Sequence, residues 1–147
     1  MNRRGVTLIE LVVVMVIIGI CAVLMVPNMG AWLPNYRLKS ATRDITSTFR
    51  TANMKAVSTN LEHRVNLDAS GNYSIERGNQ SSGSTAWVLD GAVNALPTGV
   101  TKNFTGNIQF NPDSTCSNPG TITLTNNKGK QSSITLITAT GKVNVSS

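Results

Sequence analysis

The chain has 147 residues, 40% of them hydrophobic and only 14% charged, and its 13 Lys and Arg against 7 Asp and Glu leave a net charge of +6. That length suits one domain with an appendage and excludes two domains with separate cores. Val6 to Val26 is almost wholly apolar while the rest is rich in Ser, Thr, Asn and Gly, so a plain soluble globule is excluded as well.

The chain opens on a short basic stretch, Met1-Asn2-Arg3-Arg4-Gly5. The 21 residues that follow, Val6 to Val26, would span about 31 Å as a helix, close to the hydrocarbon thickness of a bilayer. The basic flank places the N-terminus in the cytoplasm and delivers everything after Pro27 to the other side. A cleaved secretory signal fits poorly, because its apolar region would be shorter and Gly30-Ala31 is a poor cleavage site. Glu10 is the anomaly. A charge near the centre of a membrane helix costs about 2.5–3.5 kcal/mol on insertion scales, and no Lys, Arg or His lies between Arg4 and Arg37 to compensate it. Its cation is expected from another molecule.

Arg3-Arg4-Gly5 followed by Val6-Thr7-Leu8-Ile9-Glu10-Leu11 and a long apolar run resembles the prepilin processing site of type IV pilins and type II secretion pseudopilins. The resemblance implies that a prepilin peptidase cuts after Gly5 and N-methylates Val6, a position where the family most often has Phe. It also implies that Glu10 pairs with the new α-amine of an adjoining subunit and so sets the stagger of assembly. A compensated charge of that kind can specify register while adding little net stability.

Gly19, Pro27 and Pro34 interrupt what would otherwise be one long helix, since proline removes a backbone hydrogen bond and kinks or melts its surroundings. The family has helix-breaking Gly and Pro at matching places, where the segment between them can unwind on entering a filament. Equally, Pro27 and Pro34 can simply end the membrane helix and make a linker. Beyond them, Leu38, Ala41, Ile45, Phe49, Ala52 and Ala56 recur at steps of three and four. That spacing predicts an amphipathic helix from about Asn35, a good N-cap type, to about Thr59, with basic residues opposite its apolar stripe.

Strand patterns follow. His63 to Asp68 and Tyr73 to Arg77 flank a turn at Ala69-Ser70-Gly71-Asn72 and read as a hairpin. Gly78 to Thr85 reads as a polar loop, and Ala86 to Asp90 and Asn107 to Phe110 as short strands. Thr121 to Thr125 and Ser133 to Ile137 flank a turn at Asn126 to Lys130, and Gly141-Lys142-Val143-Asn144-Val145 closes the series. The order of helix, Val-x-Leu strand, Ile108-Gln109-Phe110, Gly120-Thr121-Ile122-Thr123-Leu124 and the closing Gly141 strand resembles the GspH/FimT group of minor pilins and pseudopilins. The fold expected from that resemblance is an α+β, pilin-like one. Its long N-terminal helix, a membrane half and an amphipathic half, packs on a C-terminal antiparallel β-rich domain. The expected divisions are a leader at 1–5, a transmembrane and filament-core helix at 6–26, a kinked connection at 27–34 and a globular domain at 35–147, with its helix at 35–59 and strands at 60–147.

Nothing in the chain assembles a catalytic constellation. A single histidine, His63, excludes HExxH and His-cluster zinc sites, and no P-loop, GxSxG or CxxC occurs. His63 stands beside Glu62 on a strand, where neighbours point to opposite faces, and is expected at the surface. Cys21 and Cys116 are not expected to pair, since one lies in the apolar run and the other far downstream. No enzyme activity, metal or cofactor is expected.

Arg37, Lys39, Arg43, Arg50 and Lys55 form a basic helix surface that could meet DNA phosphates, acidic partners or only solvent. Some FimT-type pilins bind DNA through a C-terminal Gly-Arg-x-Arg element. Here it reads Gly141-Lys142-Val143-Asn144, which keeps one basic residue and loses the other. The resemblance therefore implies a structural subunit held in the bacterial inner membrane and polymerised into a type IV pilus or a type II secretion pseudopilus. Its partners would be other pilin or pseudopilin subunits, the prepilin peptidase, the inner-membrane assembly platform and, before assembly, lipid. DNA capture is the alternative.

Overall fold

The structure is a computed structural model in which residues 7–25 and 29–146 are described. The chain divides into two units, Met1–Trp32 and Leu33–Ser147. Gly5, Val6 and Pro27 lie outside the described residues.

In the first unit, α1 (Leu8–Met25) is an 18-residue helix whose apolar side chains are exposed on every face, among them Leu8, Leu11, Val12, Met15, Ile18 and Val23. Among the described residues no helix is long and apolar enough to cross a membrane. The 21-residue span expected from Val6 is therefore not reached within them. An 18-residue helix measures about 27 Å, and this one includes Glu10. Gly19, expected to break the helix, is helical, with nothing within 4 Å of where a Cβ would stand. One glycine costs a helix only about 1 kcal/mol relative to Ala, too little to end a long one.

The second helix, α2 (Met29–Thr59), begins before Pro34 rather than after it. The expected start at Asn35 and the expected connection through residue 34 are corrected accordingly. The first four N–H groups of a helix have no intrahelical partner in any case. From Met29, proline at position 34 thus removes only the second bond of the ladder, the one Gly30 would have accepted. The helix ends at Asn60, whose φ of 55° is the left-handed cap that Asn tolerates.

From Leu33 onward α2 belongs to the second unit, which continues entirely in strands. These are β1 (His63–Leu67), β2 (Asn72–Gly78), β3 (Trp87–Leu89), β4 (Asn94–Ala95), β5 (Val100–Lys102), β6 (Gly106–Phe110), β7 (Cys116–Ser117), β8 (Thr121–Asn126), β9 (Gln131–Leu136) and β10 (Val143–Ser146). They form two sheets. The first runs β3-β2-β1-β6-β7, with β4 also on β2, and the second runs β10-β9-β8-β5, with every pairing antiparallel. Both expected hairpins form, with Val65 opposite Ile75 and Ile122 opposite Ile134.

The buried stripe Leu38, Ala41, Ile45, Phe49, Ala52 and Ala56 shares one core with Val65, Leu67, Ile108 and Phe110 of the first sheet and with Ile122, Leu124, Ile134 and Leu136 of the second. Phe49 and Phe110 meet with ring centroids 6.2 Å apart. A fully buried side chain of this size contributes about 1.5–3 kcal/mol, so the stripe holds α2 against both sheets. Where the sheets meet, the Cys116 N–H of β7 donates to Thr138 O, just after β9, at 2.9 Å.

Candidate functional site

Glu10 lies in the first turn of α1, and its carboxylate is turned back onto the helix start. The Thr7 N–H donates to Glu10 Oε2 and the Glu10 N–H to Thr7 Oγ1, both at 3.4 Å. Thr7-x-x-Glu10 is thus a capping box, with each side chain reaching the other's backbone N–H. The positive end of the helix dipole favours a carboxylate at this position. The sequence reading sought a cation for Glu10 and overlooked this local partner, though the Thr-x-x-Glu spacing could have revealed it. The carboxylate remains exposed.

The basic residues of α2 do not form one surface. At about 100° per residue, Lys39, Arg43 and Arg50 fall within about 40° of one another on one flank of the buried stripe, while Arg37 and Lys55 coincide on the other flank. The second pair serves the fold. Arg37 Nη1 donates to Thr98 O at 3.1 Å, and Lys55 Nζ pairs with Asp90 Oδ2 at 2.9 Å while also donating to Asp90 O at 3.2 Å. Lys39, Arg43 and Arg50 have no hydrogen-bond or ion-pair partner among the described residues. Lys142 is exposed immediately before β10.

His63 is fully buried, which corrects the expected surface position. The strand alternates as read, but His63 shares the inward face with Val65 and Leu67. Its Nδ1 lies 3.0 Å from Leu61 O and its Nε2 lies 3.2 Å from Asp90 Oδ2. Both are acceptors, and each ring nitrogen that carries a proton can donate to the one it faces. The Lys55 hydrogen bond, aided by His63 and opposed by partial burial, holds the Asp90 carboxyl below its ordinary value. Lys55, His63 and Asp90 thereby tie α2 and β1 to the loop after β3.

Glu62 faces away from His63 and binds the polar loop after β2. Its two oxygens accept the N–H groups of Gly83 at 2.9 Å and Ser84 at 2.7 Å. Burial opposes its ionisation, but those hydrogen bonds outweigh burial and lower its pKa. Cys116 is buried in β7, where burial pushes the thiol up to about 11. Both cysteines are free. Among the described residues no group of three or more His, Cys, Asp or Glu could hold a metal ion.

The description Prokaryotic N-terminal methylation motif matches residues 1–26, and Type II transport protein GspH matches residues 41–141, well over half of the chain. The chain belongs to the GspH family. Among solved structures, the GspH-family fold seen here is similar to the minor pseudopilin EpsH from the type 2 secretion system of Vibrio cholerae. That match has TM-score 0.60 and 12% identity, and it covers 76% of this chain and 97% of that one. It is also similar to the type IV minor pilin FimU of Pseudomonas aeruginosa, with TM-score 0.58 and 14% identity over 77% of this chain and 90% of that one. A comparison with curated proteins finds no match. The family model is that of a type II transport protein, and the two solved structures share its fold.

In this GspH-family chain Gly141 has a clear physical role. Its φ is 56°, and a Cβ there would stand 2.5 Å from Ser114 O and 2.7 Å from Asn53 Nδ2. Only glycine lets the turn into β10 lie so close to α2.

Proposed function

We propose that this protein is a minor pilin or pseudopilin subunit that is stored in the inner membrane and then drawn into a filament. Prepilin peptidase cuts after Gly5 and methylates the amine of Val6. The helix from Val6 to Val26 spans the membrane with its first residue at the cytoplasmic face and the strand-rich unit on the periplasmic side. The assembly platform then extracts the subunit, and its helix packs among those of its neighbours.

One observation carries this reading: α1 exposes apolar side chains all round and carries a single carboxylate in its first turn. A helix apolar on every face needs an apolar environment on every face, which lipid supplies before assembly and neighbouring helices supply afterwards. In the proposed filament the exposed Glu10 carboxylate exchanges its long Thr7 contact for the Val6 ammonium of a neighbour, a stronger, charge-assisted bond. DNA capture has less behind it, because Arg37 and Lys55 are engaged within the fold and the closing element keeps only Lys142 as its basic residue.

Two measurements test the proposal. Intact mass should show a mature chain that begins at Val6 and carries one added methyl group; a chain retaining Met1 to Gly5 in a host with active peptidase would refute the processing step. Glu10→Ala removes a charge from the apolar run, so it should insert and be cut normally while entering filaments poorly. Equal recovery of Glu10→Ala and parent protein in sheared filaments would refute the assembly role.

A further inference from the structure

A groove of about 360 Å³ runs between α2 and β10, lined by Thr42, Arg43, Thr46, Ser47, Arg50 and Val145. Three observations describe what it lacks. First, β10 is the open edge of the second sheet. The Ile137 N–H donates to Lys142 O at 3.0 Å, so Lys142 and Ile137 form a hydrogen-bonded pair. Because bonded and non-bonded pairs alternate along an antiparallel ladder, Val143 and Val145 turn their N–H and C=O groups away from β9, toward the open edge.

Second, the groove floor is apolar. Val145 shares a face with the buried Val143 yet is 47% exposed. The hydroxyls of Thr42 and Thr46 are occupied by their own helix, donating to Leu38 O at 2.8 Å and Thr42 O at 2.7 Å. Third, Arg43 and Arg50 stand two turns apart on the groove wall and carry charges with no partner among the described residues.

We propose that this groove binds an extended acidic segment of a partner protein, which adds to β10 as a further antiparallel or parallel strand. An open strand edge is a template for such addition: backbone groups supply affinity, and alternate side chains supply specificity. One face of the incoming strand places an aliphatic side chain over Val145, and its carboxylates meet the Arg43 and Arg50 guanidiniums in charge-assisted pairs. β10 is four residues long, so the added strand covers about 13 Å. Charge complementarity selects this occupant over a second copy of the chain, whose own β10 edge lies beside the same arginines. The proposal does not depend on filament assembly, because binding is read in solution.

The test uses the full chain in a non-ionic detergent and a fluorescein-labelled peptide that repeats Asp-Ser-Val-Ser, which sets Asp and Val on one face of a strand, with a Lys-Ser-Val-Ser repeat as control. Saturable binding of the acidic peptide alone is expected. It should weaken at least tenfold when Arg43→Ala and Arg50→Ala are combined, and at least tenfold in Val145→Pro, which removes an edge N–H while leaving the β9 ladder intact. Hydrogen exchange on the unsubstituted chain provides a measurement free of folding defects: the peptide should slow the amides of Val143 and Val145 at least tenfold and leave Asn144 unchanged. Unchanged exchange at Val143 and Val145 would overturn the proposal. So would equal or tighter binding of an oligothymidylate of the same charge, or self-association of the chain that excludes the peptide.

Discussion

Gly141→Ala tests how closely the closing strand depends on its contact with α2. Two costs arise. An L-residue held at φ 56° loses about 1–2 kcal/mol to left-handed strain. The new Cβ would also stand 2.5 Å from Ser114 O, where ordinary contact begins at 3.4 Å, so a backbone carbonyl or the whole turn must move by nearly 1 Å. Overpacking of that kind costs about 1–3 kcal/mol, and the stiffer unfolded chain returns about 0.4–1 kcal/mol. The net expectation is a loss of about 1–4.6 kcal/mol, or roughly 4–18 °C in Tm at about 4 °C per kcal/mol for a unit of this size. Gly129→Ala is the internal control. Gly129 has φ 79° but nothing within 4 Å of its Cβ position, so it should lose only about 1 kcal/mol. Thermal and urea unfolding followed by circular dichroism on the full chain in detergent measures both. If Gly141→Ala loses no more stability than Gly129→Ala, the close-approach argument is wrong.

Leu33–Ser147 expressed alone should fold as a helix-plus-strand unit without detergent, because all its core residues from Leu38 to Val143 lie within it; a disordered circular dichroism spectrum would contradict this. Phe49→Ala in that core should cost about 3–5 kcal/mol, read as a fall in the urea midpoint. Since the Glu62 pKa lies below its ordinary 4.5 in the fold, its contribution to stability is complete above that pH and is lost as pH falls through the lowered value. Glu62→Gln should therefore lower stability at pH 7 and flatten its decline in acid, as measured by urea midpoints across that range. The Cys116 thiol, buried and pushed up to about 11, should resist iodoacetamide at pH 8 and react once urea unfolds the chain, with the modified residue located by mass spectrometry.

Which parts of this architecture could be read in advance follows from the range of the forces involved. The stripe from Leu38 to Ala56 and the hairpins His63–Leu67 with Asn72–Gly78 and Thr121–Asn126 with Gln131–Leu136 are local patterns, and all appear where the periodicity and turns place them. The short strands β4, β5 and β7 were not legible, because two or three residues carry no periodicity and depend on the neighbours they bond to. The charges of α2 were legible as charges but not as two groups. Only the positions of Thr98 and Asp90, each brought from a distant loop, show that Arg37 and Lys55 are engaged while Arg43 and Arg50 remain available.

By itself the sequence determined the family, the apolar first helix with its single carboxylate, and the one-faced second helix that needs a sheet to cover it. Composition, spacing and helical period act within a few residues and need no partner to be recognised. Tertiary structure alone decided that the strands divide into two sheets under one helix, that His63 turns inward to Asp90, and that Gly141 closes the last strand against Asn53 and Ser114. It also decided that β10 ends its sheet beside two arginines that have no partner among the described residues. Each of these depends on segments far apart in the chain meeting in space, and burial, pairing and close approach are properties of the meeting rather than of either segment.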